Sequence, residues 1–168
     1  MEKDMANGME TNEIEILEFK AGGNSYGISV SDIKEILTYD KRPTPVPNSN
    51  PVIEGILMPR DFLIPVIDLK KYLELSDIDP NKNEMIIVTG INDMNIAIHV
   101  DSVTGIHRQL YSDIKKPGKV ISTSQKFAIT GMIKMGDKII EIIDLRRVIT
   151  NINPDINTDM EEVLINMA

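Results

Sequence analysis

An ungapped internal repeat constrains this chain more than any other feature. Gly55–Leu73 aligns with Gly131–Ile149, with identities at Gly55/Gly131, Asp61/Asp137, Ile64/Ile140, Ile67/Ile143, Asp68/Asp144 and Leu69/Leu145. Another match sets Gly27-Ile28-Ser29-Val30 against Ala97-Ile98-His99-Val100 and continues at Ile33/Val103 and Ile36/Ile106. Two matches in the same order indicate two related half-units of roughly seventy residues, a duplication rather than a solenoid.

The aliphatic residues decide what each half is made of. The chain has 28 Ile against 10 Leu and 10 Val, and β-branched side chains favour pleated sheet. Strand-like runs occur at Ile14–Phe19, Tyr26–Val30, Phe62–Ile67, Met85–Thr89, Ile96–Val100, Phe127–Met135 and Lys138–Ile143. Turn signals separate them at Gly22-Gly23-Asn24, Asn92-Asp93, Pro117-Gly118 and Gly136-Asp137. Such spacing predicts an all-β barrel or sandwich. Short helices are expected at Asp68–Leu73 and Asp144–Thr150, where an aspartate caps the first turn.

At 168 residues the chain is long enough to bury a sizeable core without staples. It has no cysteine, which excludes disulfides, thiolate metal sites and a cysteine nucleophile. The formal charge of −8 argues against nucleic acid, whose binding rests on Lys and Arg neutralising phosphates. No apolar run approaches transmembrane length, and the N-terminus lacks the apolar region of a signal peptide, so a cytoplasmic protein is expected. Residues 1–12 are polar and aperiodic and are expected to form a disordered tail. Residues 13–153 form the expected domain. In 154–168 a capping box, Thr158-x-x-Glu161, precedes Met160, Val163, Leu164 and Met167 at helical spacing. That pattern predicts an amphipathic C-terminal helix or the start of a linker.

Candidate catalytic clusters are sparse. His99 and His107 are the only histidines, and neither has a second imidazole or thiolate near it in sequence, so each is read as structural or surface-exposed. Asp68 and Asp144 occupy equivalent places in the two halves, which favours helix capping over acid–base chemistry. Asp155-x-Asn157-x-Asp159 begins like a calcium loop but has Met160 where glycine is required and Asn166 where the bidentate glutamate belongs. There is no phosphate loop and no GxSxG elbow. The reading is therefore non-enzymatic, with no cofactor and no metal. Arg60 is the odd residue. It follows a proline-rich stretch and aligns with Gly136, so the repeated architecture does not require it. It is either a surface turn residue or a partner-facing anchor, a role in which arginine is enriched.

Several blocks together resemble the CheW-like domain family. They are Phe19…Tyr26-Gly27-Ile28…Ile33-x-Glu35-Ile36, Val46-Pro47, Gly55-Ile56-Leu57-x-x-Arg60…Pro65-Val66-Ile67-Asp68-Leu69, Val100-Asp101-x-Val103 and Gly131-Met132-Ile133-Lys134. The opening Glu10–Phe19, Ile106-His107-Arg108 and Ile152-Asn153-Pro154 are similar to the coupling domain of CheV proteins. The resemblance implies two packed five-stranded SH3-like β-barrels, with short helices and a C-terminal helix. It implies a cytoplasmic adaptor, recruited to receptor arrays, that joins the chemoreceptor tip to the regulatory domain of the chemotaxis histidine kinase. Neither nucleic acid nor direct membrane insertion is implied. CheV proteins add a phosphorylatable receiver domain, so this chain is expected to be a shortened relative or a separated coupling domain.

By position, the resemblance assigns Ile33, Glu35, Arg60, Val103 and Ile106 to a receptor-facing groove between the barrels. Asn24, Lys115 and Val120 match one kinase-facing region, and Gly55 and Phe62 lie near the other. The sequence departs from the family at Met58-Pro59-Arg60-Asp61, where Asn-Leu-Arg-Gly is usual. Proline fixes φ and removes a donor, and aspartate replaces a residue free to take positive φ. Two other readings compete: a detached regulatory domain of a histidine kinase, and a small β enzyme or ligand-binding module. The first would need ATP-binding and dimerisation segments upstream. The second would need a deep pocket with convergent polar groups.

Overall fold

The computed structural model describes residues 12–77, 83–116 and 126–152. The first half supplies β1 (Glu13–Ala21), β2 (Asn24–Ser29), β3 (Ile33–Thr38), β4 (Ile53–Leu57), β5 (Ile64–Asp68) and the short helix α1 (Leu69–Tyr72). The second repeats the series as β6 (Met85–Ile91), β7 (Met94–Val100), β8 (Ser102–Leu110), β9 (Ile129–Met135), β10 (Lys138–Ile143) and α2 (Leu145–Ile152). The expected C-terminal helix and Val120 lie outside the described residues.

The two sheets do not coincide with the two halves. One has the order β8-β1-β2-β10-β9 and the other β3-β6-β7-β5-β4, so each half sends strands into both. Parallel pairing of β2 with β10 and of β5 with β7 makes the exchange, while all other strand pairs are antiparallel. The protein is mainly β with two five-stranded sheets, as expected. The barrels are open: among the described residues nothing pairs β8 with β9 or β3 with β4 to close a ring.

Hydrophobic alternation explains the layers. In β1, Leu17 and Phe19 face a core shared by both sheets, together with Tyr26 and Ile28 from β2 and Ile87, Ile96 and Ile98 from the other sheet. Leu69 and Tyr72 of α1 and Leu145, Val148 and Ile149 of α2 pack into the same core. On the opposite face each sheet curls over a small core of its own, Ile16 with Ile133 and Ile140 in one, Ile86 with Ile64 and Val66 in the other. Ile140 and Ile64 are partners in the sequence repeat, so the duplication survives as duplicated packing.

Turns and caps follow local chemistry. Gly22 and Gly23 join β1 to β2 at φ of 58° and 84°, and Asn92-Asp93 make the equivalent β6–β7 turn at 51° and 64°. Two consecutive positive φ values match the right-handed twist of a hairpin. Asp68 accepts the Lys71 N–H at 3.2 Å and Asp144 accepts the Arg146 N–H at 3.0 Å, the expected capping roles. Asp101, just after β7, is instead a buried tie. Its Oδ2 accepts the Gly22 N–H at 2.9 Å and its Oδ1 lies 3.2 Å from Lys70 Nζ.

Candidate partner-binding surface

β3 and β8 are equivalent strands in the repeat, and each forms one edge of a sheet. Their alternating half-buried and exposed residues reflect one face on the core and one on solvent. Ile33 and Val103, aligned in the repeat, both pack partly against the shared core. Ile106 points outward and is 59% exposed.

The β4–β5 connection brings Arg60 to β3. Its guanidinium donates from Nη1 to Glu35 Oε1 at 2.8 Å and from Nη2 to Oε2 at 3.2 Å. Such a fork fixes orientation as well as charge. The arginine hydrogen bonds hold the Glu35 carboxyl below its usual range. Pro59 and Asp61 do not prevent this geometry, and Asp61 does not take a positive φ. Of the five residues assigned to a receptor groove, Glu35 and Arg60 are in direct contact, Ile33 and Val103 share the core between the sheets, and Ile106 stands on the outer face of β8.

The second set falls in two places. Asn24 opens β2 and donates to the Tyr26 hydroxyl at 3.4 Å, and Lys115 forms an isolated bridge with Met132 of β9. Both belong to the sheet that contains β1. Gly55 and Phe62 belong to the other. Gly55 is buried beneath backbone: a Cβ there would lie 2.5 Å from the Thr44 carbonyl oxygen. Phe62 is 60% exposed.

Sequence reasoning missed further exposed apolar side chains: Met58 at the end of β4, Leu110 and Tyr111 at the end of β8, and Ile139 on β10. The alternation in Ser102–Leu110 could have revealed the β8 face, but its polar residues hid it among loops.

Neither histidine stands alone. His99 is sandwiched between Glu54, 2.7 Å from Nδ1, and Glu84, 2.8 Å from Nε2, and its ring stacks on Tyr39 with centroids 3.9 Å apart. The Tyr39 hydroxyl donates to Glu54. Burial alone would lower the His99 pKa, but the two carboxylates outweigh it and the net shift is upward. His107 Nε2 and Lys138 Nζ close on the fully buried Glu18 at 2.7 and 2.8 Å. Burial would raise the Glu18 pKa, and its hydrogen bonds to Lys138, His107 and Ser25 bring it below normal instead. These clusters are satisfied internally. Among the described residues no group of three or more His, Asp or Glu is arranged to hold a metal, and no helix is long and apolar enough to cross a membrane.

The chain is thus a duplicated pair of curled sheets with charged and apolar groups on its edge strands. The family model for the CheW-like domain matches residues 15–153, and the chain belongs to that family. It is 28% identical over 134 residues to chemotaxis protein CheW of Bacillus subtilis, covering 80% of this chain and 85% of the relative. Against chemotaxis protein CheV3 of Helicobacter pylori it is 28% identical over 167 residues, covering 90% of this chain but only 52% of that protein. The crystal structure of the scaffolding protein TtCheW from Thermoanaerobacter tengcongensis superposes with a TM-score of 0.71 at 30% identity, covering 78% of this chain and 88% of that one.

Proposed function

We propose that this protein is a non-catalytic chemotaxis adaptor that couples chemoreceptor cytoplasmic tips to the regulatory domain of the chemotaxis histidine kinase. The observation that carries the reading is the Arg60–Glu35 fork on the edge of a sheet. It supplies a pre-oriented charged pair on the face of β3 that Leu37 shares, with Ile33 and the exposed Ile36 on the other face. Apolar contact gives such a surface affinity, and a fixed charged pair gives it register and specificity. Ile33, Glu35, Arg60, Val103 and Ile106 form the receptor-binding set in this reading. Asn24, Lys115 and Val120 form one kinase-binding region, and Gly55 with Phe62 the other.

Internal satisfaction of the histidine and carboxylate clusters supports a binding role over catalysis. The protein would act in the cytoplasm, drawn to receptor arrays by its partners. In a CheV-type longer form, a phosphorylatable receiver domain would regulate the coupling. The test is reconstitution of kinase activity on receptor-bearing membranes. Receptor-dependent activation should require this protein, and activation that proceeds equally without it would overturn the proposal.

A further inference from the structure

Strand β8 carries apolar surface that its counterpart in the repeat lacks. The alignment that pairs Ile36 with Ile106 also pairs Thr38 with Arg108 and Asp40 with Leu110. In the first copy those two positions are polar and satisfy each other, the Thr38 hydroxyl donating to Asp40 at 2.9 Å. In the second, Leu110 and the adjoining Tyr111 are 44% and 55% exposed. The repeated architecture therefore does not require an apolar group there, and a run of exposed apolar side chains marks an interaction surface.

Ile106, Arg108 and Leu110 alternate with half-buried residues, so they stand in one row on a single face of β8. Antiparallel register sets Arg108 opposite Glu15 and Leu110 opposite Glu13 on β1. The Arg108 guanidinium lies 3.3 Å from Glu15 and 3.9 Å from Glu13. One cation against two carboxylates leaves the middle of the row with a net negative charge.

We propose that this row extends the receptor-facing site beyond Ile106 and takes a further stretch of amphipathic helix from the receptor tip. The inference rests on the coupling reading, in which Ile106 is already a receptor contact, and continuity along one strand face carries the site onward to Leu110 and Tyr111. Four residues of strand separate Ile106 from Leu110 by about 13 Å, which matches side chains seven or eight residues apart on a helix, ~10–12 Å. Apolar side chains at that spacing cover Ile106 and Leu110, and a Lys or Arg between them meets the surplus carboxylate of Glu13 and Glu15. Tyr111 closes the row with an aromatic ring, a residue type enriched at binding hot spots.

Titration of the full chain with a receptor-tip fragment tests this, with Arg60→Glu as the marker of the coupling reading. Leu110→Ser combined with Tyr111→Ser should weaken binding at least tenfold with circular dichroism unchanged. Ile139→Ser, at an exposed apolar position on β10, should leave it unaltered. Glu15→Lys should weaken binding more at low salt than at high salt. Loss with Arg60→Glu but full affinity in the Leu110 and Tyr111 double variant would overturn the extension and leave the coupling reading standing. No binding by the unaltered chain would overturn both. A double variant that keeps the receptor fragment and loses the kinase regulatory domain, or loses self-association, would give the row to that partner and overturn the proposal.

Discussion

Arg60 and Glu35 stand 25 residues apart in sequence and meet in a two-pronged hydrogen-bonded fork between the β4–β5 connection and β3. The fork needs a planar donor with two parallel N–H groups, which lysine lacks. Arg60→Glu should therefore weaken binding of a receptor-tip fragment at least tenfold, about 1.4 kcal/mol, and Arg60→Lys should give a smaller loss. Titration at matched salt, with circular dichroism showing an intact fold, checks this. Unchanged affinity for Arg60→Glu would remove the residue from the binding surface.

The His99 clamp gives stability a defined pH window. Its pKa is raised above 6.5, so its contribution is complete below that value and is lost as pH rises through the folded-state pKa. For Glu54 burial opposes ionisation, but His99 and Tyr39 hydrogen bonds prevail and its pKa is lowered from 4.5. Its contribution is present above that value and is lost as pH falls through the folded-state pKa. Stability from the clamp should thus plateau between about 4.5 and 6.5. His99→Gln should cost about 2 kcal/mol in that window and less in mildly alkaline buffer. Urea unfolding across pH measures both, and a pH-independent difference would contradict the clamp.

Asp101 and Asp32 make comparable ties at different depths. Lys70 and Arg146 are aligned in the repeat, and each grips an acid near a strand junction: Lys70 Nζ lies 3.2 Å from Asp101, Arg146 Nη2 3.1 Å from Asp32. Asp101 is buried, so Asp101→Ala leaves the Gly22 N–H without its acceptor, while Lys70 keeps Asp77 at 3.0 Å, and should cost about 1–3 kcal/mol. Asp32 pairs with a half-exposed arginine, and Asp32→Ala should cost less than ~1 kcal/mol. Equal losses in chemical denaturation would show that burial does not set the difference.

Gly55 is restricted by close approach of another backbone. An added methyl would meet the Thr44 carbonyl oxygen at 2.5 Å and the Pro43 carbonyl carbon at 2.9 Å, neither on a flexible side chain. Gly55→Ala should destabilise by about 1–3 kcal/mol, as overpacking does, and disrupt the Thr44–Ile56 bridge. Gly136→Ala has open space around it but a φ of 64°, so its smaller cost comes from backbone strain alone. Thermal melts of the two variants should rank in that order.

Much of the architecture was legible because the halves repeat where burial is greatest. Ile64/Ile140 and Ile67/Ile143 are core positions in both sheets, and a buried strand leaves an unbroken aliphatic run in the sequence. β3, β4 and β8 escaped detection for the opposite reason: Lys34, Glu54, Thr104 and Arg108 interrupt their apolar runs and dilute the pattern. The exchange of strands between halves left no sequence signal, because a repeat fixes which segments are alike and not which ones pair. At the surface, Arg60 was singled out by its lack of a counterpart, and the resemblance paired it with Glu35. The His99 cluster was invisible in outline, since Tyr39, Glu54 and Glu84 are scattered in sequence and converge only through sheet pairing.

The central claim is that one chain carries two separate protein-binding surfaces. Calorimetric titration with the regulatory domain of the cognate chemotaxis kinase, free and then saturated with a receptor-tip fragment, tests it most directly. Coupling predicts saturable binding of the kinase domain in both titrations, with Arg60→Glu affecting only the receptor fragment. Mutual exclusion of the two partners, or no binding of either by the folded protein, would contradict the account.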